Sequence, residues 1–268
     1  MTESTSSNAS SQDDKGPTIL AIMWSLTGIT TLFVIARIYT RFKILKAGGP
    51  DDYLIVISLC IGYLFVSLTT VSVDAGIGKH SSTLSTKEFE KAVMFDIAGF
   101  APGVFSFVVP KMAIVVLLIR IFNPTKKTKI FLWALVGTSG LFILGCVVIL
   151  YAQCSPAKAM WTPTLEHYTC WNPWILVDYA IVAGAISGLV DLILAIYPST
   201  VLRKLHIEKK KKIGLCAALG LGIIACAITV YKCTRLPSLT DKNDYTYSTA
   251  DLVIWTKLPS LPLRHLSH

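Results

Sequence analysis

The sequence predicts an all-α membrane protein: a polytopic transmembrane helical bundle with six clear spans and a truncated seventh. Three observations carry this. Hydrophobic residues make up 53% of the 268-residue chain before its 17 glycines are counted, already above the roughly 45–50% apolar share of soluble domains. Charged residues are 15%, against about 25% in a soluble domain. Those charges fall in short clusters between long apolar stretches, so the net charge of +9 belongs to loops and not to a nucleic-acid-binding face.

Residues 1–17 are rich in Ser, Thr, Asn and Asp and contain no apolar run. They are expected to form a disordered outer tail, with no cleavable leader because no apolar core region lies near the start. Six stretches follow, each near the 20 residues of helix that cross a hydrocarbon core: 18–39, 53–73, 93–119, 130–151, 174–197 and 213–233. In lipid the backbone must satisfy its own hydrogen bonds, so even the Val- and Ile-rich run Ala113 to Leu118 is read as helix. A seventh apolar run starts at Asp251. It is interrupted by Lys257, Pro259 and Pro262 and is read as a stub. The transmembrane domain is therefore 18–258, followed by an irregular end at 259–268.

Lys and Arg set the orientation. The first, third and fifth connections carry fourteen of them, against eight on the other side. The odd connections are expected in the cytoplasm and the amino terminus outside, most naturally at the plasma membrane. Asn8-Ala9-Ser10 falls in the outer tail as a glycosylation acceptor, whereas Pro124 blocks Asn123-Pro124-Thr125.

The punctuation of the spans has a familiar order. Arg37-x-Tyr39-x-Arg41 leads into Gly49-Pro50-Asp51-Asp52-Tyr53, and Gly76-Ile77-Gly78-Lys79-His80 closes the second span. The third span contains Lys111 and ends Leu118-Ile119-Arg120-Ile121-Phe122. Gln153-Cys154-Ser155-Pro156, Trp161 and Cys170 follow the fourth, and Asp191 to Tyr197-Pro198 ends the fifth. This resembles the fungal rhodopsin-domain integral membrane proteins of the satratoxin-cluster type, over about residues 17–256. The resemblance implies a seven-helix, receptor-like fold in a fungal membrane. Some family members resemble fungal G-protein-coupled receptors, and some of the genes sit beside secondary-metabolite clusters. The chain departs from the pattern at its end, where the seventh helix and polar tail are missing.

Cys154 and Cys170 share one outer loop on the oxidising side, so a disulfide is expected there. Cys60, Cys146, Cys216 and Cys226 fall inside spans as small hydrophobes. Trp161, Trp171 and Trp174 read as an interfacial belt. Lys111 and Asp191 lie at nearly the same depth, about 18 and 17 residues into their spans from the outer side, and are expected to pair. A structural ion pair, a ligand or switch site, and a Lys111 that snorkels inward all remain open readings. Asp96 and Asp178 near the outer ends are candidates for an outer vestibule, or simply caps. Pro102 and Pro110 are expected to kink the third span unless neighbours satisfy the freed carbonyls. Gly184-x-x-x-Gly188 and the glycines at 214, 220 and 222 permit close packing. Lys209 to Lys212 suit an anionic leaflet or a cytoplasmic partner of unknown identity.

No catalytic or metal-binding constellation stands out, since His80 and His167 are isolated. No cofactor is expected. A retinal pigment would need a lysine deep in a seventh helix, and Lys257 lies in the stub. The functional expectation is a receptor-like sensor that contacts the lipid bilayer, a small-molecule ligand and no nucleic acid. An integral membrane accessory protein or enzyme of a secondary-metabolite cluster is the alternative.

Overall fold

A computed structural model describes residues 16–203, apart from 45, 47, 80–83 and 163. It contains five long helices: α1 (Gly16–Tyr39), α2 (Pro50–Ala75), α3 (Thr86–Phe122), α4 (Lys126–Ala152) and α5 (Pro173–Arg203). Each is long and apolar enough to cross a membrane. Their outward faces carry side chains that water would not tolerate in such density: Leu32, Phe33, Ile130 and Leu141 are each about 70% exposed. These are lipid-facing surfaces. The first five expected spans coincide with α1 to α5. The expected sixth span at 213–233, with Lys209 to Lys212, Cys216 and Cys226, lies outside the described residues, as do the stub at 251–258 and the end at 259–268. Asn8 and His80 lie outside them too.

The helix ends follow local chemistry. Pro50 occupies the first turn of α2, where a missing N–H costs nothing. The Gly49 N–H donates to Asp52 Oδ2 at 3.1 Å, so an acidic side chain closes the turn and favours the positive end of the helix dipole. α2 stops at Gly76, whose φ of 131° is a conformation that disfavours any side chain. Leu84 packs where a Cβ would stand. α3 opens with Ser85 and Glu88, which bond each other's backbone N–H reciprocally. It ends at Asn123 in the left-handed conformation, one of the few residues that accept it.

Both α3 prolines sit inside one continuous helix. Pro110 has no N–H to offer Ser106, and the Ser58 hydroxyl of α2 donates weakly to that freed carbonyl at 3.5 Å. The neighbouring helix thus supplies part of what the proline removes. Along the same seam Gly103 admits the Phe65 ring, which would lie 2.9 Å from a Cβ.

Three apolar clusters hold the bundle. Near one end Ile19 and Met23 of α1 meet Val66 and Val73 of α2 and Ala92 of α3. At the same end Val93 and Ile97 of α3 meet Leu150 of α4, with Trp161 and Leu176 against them. Toward the other end Val115 and Leu118 of α3 pack on Leu132 and Val136 of α4 and on Val190 and Leu194 of α5. Between α4 and α5, strands β1 (Cys154–Ser155) and β2 (Thr169–Cys170) pair antiparallel, with Cys154 opposite Cys170.

Candidate functional site

α3 carries the charged contacts that organise the interior. Lys111 is almost fully buried, and its Nζ lies 3.0 Å from Asp191 Oδ1 of α5. The same ammonium donates to the Ser187 hydroxyl at 2.5 Å and to the Ser187 carbonyl at 3.1 Å. Ser187 precedes Asp191 by one turn, so both face Lys111 from one side of α5. All three donors of the lysine point at one patch of a single neighbouring helix. An unpaired charge at this depth would cost several kcal/mol. The structure therefore answers the burial of Lys111 with a counter-ion and two oxygens. Sequence depth alone places Lys111 beside Asp191, but nothing in it reveals Ser187.

A second charged cluster closes one end of the bundle. Asp51 is fully buried and Asp52 nearly so. Asp51 Oδ2 accepts from Arg37 and Arg41, each at 3.0 Å, and its Oδ1 accepts from Arg120 at 3.2 Å. Arg37 and Arg41 are four residues apart and share one face of the chain, where α1 passes into a wider turn at Thr40–Ile44. Arg120 also donates to the Gly48 carbonyl at 3.2 Å. A Cβ on Gly49 would overlap the Arg120 guanidinium, so glycine at 49 is what lets α3 dock on the start of α2. Three helices thus converge on one carboxylate. The sequence shows these residues as loop charges, and the motif positions Arg37, Arg41, Asp51 and Arg120 are conspicuous in it. Their joining requires α1, α2 and α3 to bring the same ends together, which spacing alone does not dictate.

At the opposite end Cys154 and Cys170 form a disulfide that ties the α4–α5 connection. Trp171 and Trp174 are about half exposed, as suits an interfacial anchor. Trp161 is instead tucked against Val93, Ile97 and Leu150, so it belongs to the packing beneath the loop and not to the belt. Asp96 is half-buried on α3, and Asp178 is exposed on α5. No hydrogen bond or ion pair joins these two among the described residues. Gly188 is buried on α5 and Gly184 half-buried. His167 stands in the exposed loop near Ser155 and Thr169, and no group of three or more metal-ligating side chains occurs among the described residues.

These features define an integral membrane protein with its helices pinned by charge at mid-depth and at one end, and by a disulfide at the other. The chain belongs to the fungal rhodopsin domain family, whose model matches residues 36–259. It is 27% identical over 242 residues to "Fugralins biosynthesis cluster protein 2" of Gibberella zeae, covering 85% of this chain and 57% of that one. It is 25% identical over 233 residues to "SAT4 family membrane protein" of Emericella nidulans, covering 82% and 55%. The chain therefore spans little more than half the length of these relatives. No solved structure matches it.

Proposed function

We propose that the chain forms the membrane-embedded body of a receptor-like sensor. Its amino terminus and disulfide loop would lie outside the plasma membrane, and its arginine-rich end in the cytoplasm. The Lys111–Asp191–Ser187 contact carries this reading. It is a costly polar junction between two helices at mid-depth, next to a proline, where apolar packing would serve stability equally well. A small, largely apolar metabolite with one polar group is the ligand class that such a junction suits. The positive-inside count favours the orientation, and the cytoplasmic charges leave a surface for an unidentified partner.

Fractionated organic extract of a fungal culture, added to the purified protein, tests this reading. The sensor reading expects a fraction that raises the unfolding midpoint of wild type and fails to do so for Asp191→Asn. Absence of any such fraction contradicts it. The relative titled as a biosynthesis cluster protein supports a second reading, an accessory protein or enzyme of a metabolite cluster. Deleting the gene would then change the structure of a secreted metabolite, and not merely its onset or amount.

A further inference from the structure

We propose that Arg120 is a releasable latch, and that its seat on α2 is coupled through the inner half of α3 to the Lys111–Asp191 pair. This deepens the sensor reading and rests on it. Arg120 follows Lys111 by nine residues, which is about two and a half turns and roughly 13.5 Å of helix. A half-turn remainder puts the two side chains on opposite faces of α3. Lys111 reaches α5, and Arg120 reaches α2. Besides its apolar packing on α4 and α5, the rod is therefore tied to a neighbour on each side by one ion pair.

The segment between the two contacts, Met112 to Ile119, contains neither glycine nor proline and transmits displacement as a stiff helix. Pro110 stands immediately before it. Among the described residues the backbone bond missing there is replaced by the long contact from Ser58, so this is where the inner half of α3 can pivot. Asp51 keeps its charge satisfied without Arg120. Arg41 is 16% exposed and Arg37 33%, and they lie on α1 and the turn that continues it, whereas Arg120, at 38%, is the most solvated of the three. α1 and α2 thus stay stapled when α3 lets go. Anything that separates Lys111 from Asp191 leaves that face of the rod held by apolar packing alone, which can slide, and shifts the load on the other.

Hydrogen exchange of the full chain in lipid nanodiscs reads this out at Gly48–Tyr53, the seat of Arg120. Arg120→Gln is expected to raise exchange there by at least fivefold. Asp191→Asn, which touches none of these residues, is expected to raise it as well, and to add nothing in the Arg120→Gln background. Gly49→Ala provides a second route. Its φ of −151° is ordinary for alanine, and the new Cβ would crowd the Arg120 guanidinium and the Asp51 Oδ1 that receives it, so it should raise exchange at least as much as Arg120→Gln. Wild-type exchange at Gly48–Tyr53 in Asp191→Asn or in Gly49→Ala, or an Asp191→Asn effect of equal size in both backgrounds, overturns the proposal. A sensor with no ligand would leave this coupling intact. Loss of the coupling would leave ligand-induced stabilisation intact, so the two failures are distinct.

Discussion

Neutralising Asp51 should destabilise the bundle far more than neutralising its neighbour. Asp51 is fully buried and accepts from three arginines at 3.0, 3.0 and 3.2 Å. Asp51→Asn leaves three guanidinium groups converging on an amide whose N–H₂ repels them. Removing one partner of a buried ion pair costs about 3–5 kcal/mol. The arginines are 16–38% exposed, so solvent screens part of that and the lower figure of ~3 kcal/mol applies. For a unit of this size that lowers the unfolding midpoint by roughly 6–12 °C. Asp52→Asn is the control. The Asp52 oxygen that caps Gly49 has an equivalent in asparagine, and the lost ion pairs are longer, at 3.5 and 3.9 Å. It should cost ~1 kcal/mol or less. Thermal unfolding in detergent, followed by helical circular dichroism, measures both. Equal losses, or a loss below ~1 kcal/mol for Asp51→Asn, would refute the claim that three helices share one carboxylate.

Three other expectations follow from the same contacts. Lys111→Ala alone should cost ~3–5 kcal/mol by stranding Asp191, whereas Lys111→Met combined with Asp191→Leu should unfold close to wild type, because paired apolar replacement is often neutral; thermal melts of both decide it. Gly103→Ala should destabilise by ~1–3 kcal/mol through crowding of Phe65, while Gly137→Ala, with nothing within 4 Å of a new Cβ, should stabilise by ~0.5–1 kcal/mol, again by melting midpoint. Bonding to Ser85 lowers the Glu88 pKa below its ordinary 4.5. Its cap is therefore fully present above pH 4.5 and lost as pH falls through the lower folded value, so amide exchange in the first turn of α3 should rise there, and Ser85→Ala should abolish that pH dependence.

The positions of α1 to α5 were legible in the sequence because lipid leaves the backbone little choice once an apolar run is long enough. Cys154 and Cys170 were legible because one loop contains both. Lys111 and Asp191 could be placed together from depth alone, since the third and fifth spans run in the same direction and equal residue counts from the outer side give equal height. The cluster on Asp51 was not legible in the same way. Loop charges normally face water, and Asp51 looks like an ordinary first-turn acid. Its burial depends on Gly49 letting Arg120 in and on Arg37 and Arg41, four residues apart, reaching the same oxygen. Trp161 misled for the opposite reason. Its proximity in sequence to two interfacial tryptophans hid the fact that the loop folds it back over α3 and α4.

Labelling of intact cells with a membrane-impermeant maleimide tests the central claim, that these helices cross a bilayer with the arginine cluster inside. In a background with the native free cysteines replaced by serine, Glu166→Cys should label from outside. Lys127→Cys should label only after the membrane is opened. Labelling of Lys127→Cys in sealed cells, with Glu166→Cys protected, would reverse the orientation and remove the basis for an inward-facing latch.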